Sequence, residues 1–212
     1  MKTDNLFFNL NYIQTLFPSE IIDITKGEIL FKEGEINDFV FFIKSGKLKV
    51  SKTENVIGFT REKEFIGITS CLCDGDHFYF TAVACENSSL LKIDKTFFKK
   101  ALIENPEFGK TMIEILCRRI KITDNKTKSF TQLTTSERII NEILNNVLFE
   151  NDLRKIYLSI DDLTELTGVS SIQVLTTIKD LTAKNLIKMK DEKITITHLE
   201  KLKALLTPNH PN

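Results

Sequence analysis

Two groups of side chains in this chain are of types that do chemistry. The first is Cys71-Leu72-Cys73, followed by Asp74-Gly75-Asp76, His77 and, further on, Cys85. Thiolates and imidazole can hold a soft metal or act as a redox pair. The spacing argues against both: a CxC step lacks the usual zinc arrangement, and Asp74-Gly75-Asp76 is too short for a calcium loop. His77 is the only histidine in this part of the chain, which leaves haem ligation poorly supplied. Packed, reduced thiols are the expectation. The second group is Ser170, Ser171, Gln173, Thr176, Thr177 and Lys179, joined by Lys190. Hydroxyls, a carboxamide and ammonium groups at helical spacing suit hydrogen bonds to base edges and phosphates rather than bond making. No nucleophile–base set, phosphate-binding glycine loop or metalloprotease motif is found, so an enzyme is not expected.

The second group needs a scaffold, and the stretch Leu158 to Ile187 supplies one. Ser159 is placed to cap a short helix, with Asp161 and Asp162 in its first turn. Leu163 and Leu166 form its apolar side, and Gly168 ends it. Ser170 opens a second helix, with Gln173 completing a capping-box pattern; Val174, Ile178 and Leu181 face inward at helical spacing. Two helices about a tight turn read as a helix-turn-helix, with Ser171, Gln173, Thr176, Thr177 and Asp180 expected to be exposed. Leu186–Lys190 and Lys193–Thr197, joined by Asp191-Glu192, read as a β-hairpin wing, and His198–Leu206 as a closing helix. Phe149–Lys155 reads as a polar loop and Ile156–Ile160 as a short strand. Pro208 to Asn212 is expected to be a frayed tail.

Upstream the period differs. Residues 6–17 suggest a short helix ended before Pro18. From Asp23, β-branched and aromatic residues alternate with polar ones, punctuated by Gly27, Gly34 and Gly46. Further short strands are expected at Val56–Thr60, Phe65–Ile68, Phe78–Cys85 and Ser89–Ile93. This patterning indicates a small antiparallel barrel or sandwich. A helix over Asp94–Glu104 leads to a long one beginning at Pro106. Its two apolar stripes, Phe108/Met112/Ile115/Ile122 and Ile113/Leu116/Ile120, require two partners. The barrel and the same helix of a second subunit are the simplest pair. Thr134-Thr135-Ser136-Glu137 starts a further helix, to about Leu148.

Composition sets limits. Of 212 residues, 42% are apolar, enough for a core. Lys+Arg and Asp+Glu both number 29, and residues 136–212 carry 10 against 11, so a strong basic footprint is missing. Asp4, Asn9 and Asn11 interrupt any leader-like run, and no membrane span is found; a cytoplasmic location is expected.

In this order, the motifs resemble the bacterial Crp/Fnr family, that of the cyclic-AMP receptor protein and the fumarate-nitrate regulator, over roughly residues 20–200. KGEILFKEGEINDFVFFIKSGKLKV is similar to its opening strands, EFIG at 64–67 to the approach to its ligand loop, and FFKKALIENPEF at 97–108 to the lead into its dimer helix. CRRIKIT at 117–123 and SERIINEIL at 136–144 are similar to that helix and to the first helix of the DNA domain. The resemblance implies an α+β chain. It would have an N-terminal antiparallel β-roll of cyclic-nucleotide-binding type (1–105), a dimerisation helix (106–134) and a C-terminal winged helix-turn-helix (135–212). It implies an effector pocket at Phe65, Gly67, Phe78, Tyr79 and Thr123. The chain departs from the nucleotide-binding members. Ile68 stands where they have a glutamate for the ribose, and Phe78 and Tyr79 stand where they have an Arg-Ser pair for the phosphate. A phosphodiester requires positive charge and donors, so cyclic AMP is not expected, nor any metal or haem cofactor. Phe59, Phe65, Phe78, Tyr79 and Phe80 are expected in the barrel interior. They would either fill it, the favoured reading, or receive a hydrophobic effector.

By the same resemblance, the arginines that read guanine are replaced by Ser171 and Thr176, which implies an A·T-rich near-palindrome. Lys179, Lys184, Lys188, Lys190 and Lys193, with Lys126 and Lys128, are the candidate phosphate contacts. Two readings remain: a homodimeric DNA-binding regulator paired through 106–130 and working with RNA polymerase, or a dimeric sensor or protein-interaction module that has lost sequence-specific DNA binding. The effector, the operator and the sign of regulation are not legible.

Overall fold

The computed structural model describes residues 8–73, 76–150, 153–190 and 193–206, with the side chains of 125–131, 148–150 and 153–155 excepted. The expected first turn at 6–7, the turn at 74–75, the wing tip Asp191-Glu192 and the tail from Pro208 lie outside them, as do the side chains of Lys126 and Lys128. The chain forms two compact units, Met1–Leu116 and Cys117–Asn212.

In the first unit, helix α1 (Leu10–Leu16), capped by the Asn9 side chain, precedes strands β1 (Glu20–Ile24), β2 (Ile29–Phe31), β3 (Phe39–Ser45), β4 (Lys47–Lys52), β5 (Asn55–Arg61) and β6 (Phe65–Ile66). A short helix α2 (Ile68–Leu72), strands β7 (Thr81–Ala84) and β8 (Ser88–Asp94), helix α3 (Lys95–Glu104) and helix α4 (Pro106–Gln132) follow. The strands make two four-stranded antiparallel sheets, ordered β1-β8-β3-β6 and β2-β7-β4-β5.

The run Val40-Phe41-Phe42-Ile43 explains why β3 is central. Side chains alternate across a strand, and here both faces are dry. Phe41 and Ile43 join Phe31, Leu48, Ile66, Phe78 and Leu90 in a core between the sheets. Val40 and Phe42 join Phe65, Leu91 and Ile93 on the opposite face, against α1, α3 and the start of α4 through Ile13, Phe17, Phe98, Phe108 and Met112. The Phe65 ring lies 5.0–6.1 Å from the rings of Phe8, Phe42, Phe98 and Phe108.

Two expected strands are shorter than the pattern suggests. The segment expected as Phe65–Ile68 pairs only at Phe65 and Ile66 before α2 begins, and that expected as Phe78–Cys85 pairs only over Thr81–Ala84. His77 makes an isolated bridge to Ile36. Lys95 pins the preceding loop by bridging Asp38 at 3.0 Å and Asp76 at 3.1 Å. Hydrogen bonding to Asp38, then Asp76, raises the lysine above its usual range, and the same lysine lowers Asp76.

In the second unit, α5 (Thr135–Asn145) is opened by a reciprocal capping box. Thr134 N–H donates to Glu137 at 2.8 Å and Glu137 N–H donates back to the threonine hydroxyl at 3.4 Å. The threonine's donors hold the Glu137 carboxyl below its ordinary value. The expected polar loop at 149–155 is instead a hairpin, β9 (Leu148–Glu150) against β10 (Leu153–Ile156), and the expected strand at 156–160 ends at Ile156. Its backbone ladder extends a four-stranded sheet. The remaining elements are α6 (Ile160–Thr167), α7 (Ser171–Ala183), β11 (Ile187–Lys190), β12 (Lys193–Ile196) and α8 (Leu199–Ala204).

Gly46, between β3 and β4, has φ +99, and a Cβ there would lie 2.1 Å from the Ser88 hydroxyl and 2.8 Å from its Cα. Gly27 has a similar φ of +87 with nothing within 4 Å. Gly46→Ala should therefore cost about 2–4 kcal/mol and Gly27→Ala only about 1 kcal/mol. Urea unfolding followed by circular dichroism measures both; equal losses would mean that the Ser88 contact is not what requires glycine.

Candidate nucleic-acid interface

Helix α6 starts on a second reciprocal box, with Ser159 N–H donating to Asp162 at 2.8 Å and Asp162 N–H to the Ser159 hydroxyl at 3.1 Å. It ends at Gly168, whose left-handed φ of 65 turns the chain so that buried Val169 leads into α7. Leu163 and Leu166 are buried, as are Val174, Ile178 and Leu181 of α7. Burial of these three side chains sets the rotation of α7 about its axis. Strands β11 and β12 pair from Ile187↔Ile196 to Lys190↔Lys193, and β12 continues onto β10, so the hairpin after α7 is anchored in a sheet.

The opposite face of α7 meets solvent. Ser170, Ser171, Gln173, Thr176, Lys179 and Asp180 are exposed, as are Lys184, Lys188 and Lys190. Ser170 is the N-cap, but its hydroxyl donates to the Gln173 side-chain oxygen at 2.9 Å and makes no bond to a backbone amide. The expected capping box is thus a side-chain pair. Thr177 corrects the expectation of exposure: it is 7% exposed, and its hydroxyl donates to the Gln173 carbonyl at 2.9 Å. That bond satisfies the donor and lets the residue sit among Val174, Ile178 and Leu181. Lys193 lies over the Tyr157 ring at 5.2 Å, which engages its charge locally. Leu175 stood outside the expected set and is 42% exposed. The period that turns Val174 and Ile178 inward turns Leu175 out, so the signal was present.

Of the residues expected to line an effector pocket, Gly67 and Phe78 are neighbours, the Phe78 ring lying 3.4 Å from where a Cβ on Gly67 would stand. Phe65 is buried in the helix-side core, whereas Phe78 is buried between the sheets. Phe78 stacks on Phe31 with ring centroids 3.7 Å apart and planes 6° apart, next to Phe41 and with Phe80 against the same cluster. Tyr79 is half exposed; Lys52 lies 5.8 Å above its ring, and its N–H donates to the buried Ser70 hydroxyl. Phe59 is half-buried beneath Lys47, outside the inter-sheet core. Gly67 precedes α2 with φ 90. Thr123 belongs to the second unit, exposed, with its hydroxyl donating to the Arg119 carbonyl at 3.0 Å. Cys71 is buried, and burial raises its thiol pKa, while Cys73 is exposed. Among the described residues no three His, Cys, Asp or Glu side chains converge as a metal site would need.

Residues 21–105 match the cyclic nucleotide-binding domain family. The chain is 26% identical over 214 residues to the Global nitrogen regulator of Synechococcus elongatus, covering 89% of this chain and 94% of that protein. It is 21% identical over 192 residues to the CRP-like cAMP-activated global transcriptional regulator of Mycobacterium tuberculosis, covering 85% of each. FixK2 from Bradyrhizobium japonicum superposes with a TM-score of 0.72 at 14% identity, covering 90% of this chain and 98% of that one. Together these likenesses support placing the chain with the Crp/Fnr family.

Its Crp/Fnr relatives are bacterial transcriptional regulators. The M. tuberculosis relative is described as cAMP-activated, and two positions of this chain bear on that ligand. At the two positions where the nucleotide-binding members are expected to hold the phosphate, one side chain is a ring stacked inside the core and the other is a tyrosine whose backbone amide is spent on Ser70. Neither offers the cation that a phosphodiester requires. Titration calorimetry with cyclic AMP and cyclic GMP should show no heat of binding; a micromolar dissociation constant for either would overturn this reading of the roll.

Proposed function

We propose that this protein is a homodimeric transcription regulator that binds double-stranded DNA by laying α7 in the major groove. The observation that carries the reading is the division of α7 into a sealed face, Val174/Ile178/Leu181, and a solvent face rich in hydroxyl, amide and ammonium groups. Ser171, Gln173 and Thr176 are the base-edge candidates, with Gln173 suited to adenine. Ser170, Lys179 and Lys190 are candidates for phosphates. Thr177 is not among them. An A·T-rich site follows from the lack of arginine on α7.

Dimerisation through residues 106–130 is supported by Ile113 and Ile120, each 63% exposed and seven residues apart on α4, while Phe108 and Met112 are buried in the first unit. Leu116, expected on the outward stripe, packs partly against that core. In this reading residues 1–105 are the sensing domain, 106–134 the dimer helix and 135–212 the DNA-binding domain. Pairing places two copies of α7 about one DNA turn apart on a near-palindrome. The effector is not a cyclic nucleotide, and the stacked phenylalanines support a roll that is filled by its own side chains. RNA polymerase is the expected protein partner. No described helix is long and apolar enough to cross a membrane, and the proposed compartment is the cytoplasm.

The near-equal charge of residues 136–212, 10 basic against 11 acidic, favours a second reading, an interaction module without DNA affinity. A gel shift with genomic fragments, at low and then physiological salt, separates the two. Specific complexes that survive physiological salt support the regulator. An Ile113→Glu/Ile120→Glu variant should sediment as a monomer and lose operator affinity by about 100-fold or more, because one half-site remains. Retention of both dimer and affinity would refute pairing through α4.

A further inference from the structure

The solvent face of α7 carries apolar side chains among its polar ones. Ile172 is 76% exposed and Leu175 is 42% exposed. They lie three residues apart on the first two turns, with Thr176 one turn beyond Ile172, so they form one ridge. Thr176 adds to that ridge, because its hydroxyl donates to the Ile172 carbonyl at 2.8 Å and leaves a methyl and an acceptor outward. The nearest polar donors are also partly engaged: the Ser170 hydroxyl is spent on the Gln173 oxygen at 2.9 Å. A single exposed aliphatic residue on a protein surface needs no explanation. Two on the opening turns of a helix-turn-helix second helix, with exposed Lys179 one turn beyond Leu175 and Lys188 and Lys190 exposed on the hairpin that follows, do.

Of the four bases, only thymine presents an apolar group in the major groove, its C5 methyl. We propose that Ile172 and Leu175 are specificity-determining residues that read thymine methyl groups, so the operator is selected by apolar contact where an arginine would select guanine by hydrogen bonding. This rests on the DNA-binding reading above and names what that surface recognises. The lysines supply attraction to phosphate that is indifferent to sequence, and the apolar ridge supplies discrimination. Cytosine presents no methyl there, and uracil differs from thymine by that methyl alone, so the ridge distinguishes thymine from both.

The test uses the full chain and a duplex recovered by repeated selection from a random-sequence duplex library. Each thymine is replaced singly by deoxyuridine, which leaves base pairing intact, and affinity is read by fluorescence anisotropy. At one or two positions per half-site the replacement should weaken binding roughly fourfold, equivalent to about 0.8 kcal/mol for one methyl-sized group. That penalty should vanish at one such position in Ile172→Ala and at the other in Leu175→Ala, with unchanged thermal unfolding since neither side chain is buried. Tight binding with no uracil effect at any position overturns methyl reading and leaves the DNA-binding reading standing. A uracil penalty undiminished in both variants overturns the assignment to these residues. Failure to recover any duplex removes the DNA-binding reading itself. A changed sedimentation coefficient for the double variant would assign the ridge to a second copy of the chain and also overturn the proposal.

Discussion

The burial of Val174, Ile178 and Leu181 is the constraint on which the candidate interface depends. Rolling α7 far enough to hide Ile172 and Leu175 would return these three side chains to water, at about 1.5–3 kcal/mol each. That sum is a large part of what holds a small unit folded. The outward face is therefore a consequence of core packing, held without any need for the exposed residues to stabilise it. The two turns on either side act with it. Gly168 delivers Val169 to the interior at one end. At the other, Asn185, with a left-handed φ of 55, lets Leu186 N–H return to the Leu181 carbonyl at 2.9 Å before the hairpin begins.

The first unit obeys a different constraint, the double-sided burial of β3 and β8. Because Phe41 and Phe42 face opposite ways, the sheet separates an inter-sheet core from a helix-side core, each with its own aromatic cluster. The stacked Phe31–Phe78 pair closes the first, and Phe65, packed against the rings of Phe8, Phe42, Phe98 and Phe108, closes the second. A ligand in the inter-sheet core would have to displace close ring contacts that are already made. A shared fold does not by itself carry a relative's ligand chemistry, which rests on the side chains that line the site.

Much of this was legible in the residues. Long periodic segments were readable because a helix repeats its apolar positions over several turns: α7, α4 and the longer strands of the roll follow their patterns. The helix start at Thr134–Glu137 and the helix end at Gly168 were readable because they rest on specific side chains at specific spacings. What misled was short or two-sided. The β9–β10 hairpin holds through its backbone ladder, over three- and four-residue strands too brief to show a period. Phe78–Phe80 alternates convincingly yet precedes its strand, since Lys95 and the Ile36–His77 bridge hold that segment as a loop. Phe65 was assigned to the roll interior because alternation fixes that neighbours face apart but not which of two dry faces each one takes. Thr177 was assigned outward by its polarity, when a bond to its own helix made it compatible with the core. At the interface, residue polarity is a poor guide to exposure, since the period that turns Val174 and Ile178 inward turns apolar Leu175 out.

The central claim is that the opening turns of α7 are where this protein meets DNA. The first amides of that helix lack carbonyl partners one turn earlier, and Ser170 does not cap them, so they should exchange with solvent readily in the free protein. Amide hydrogen exchange on the full chain, with and without a selected duplex, reports on them directly. The account predicts that the duplex slows exchange over residues 171–176 and along β11 and β12, with the buried half of α7 unchanged. A duplex that binds while those opening amides exchange at their free rate, with protection confined to other elements, would contradict it.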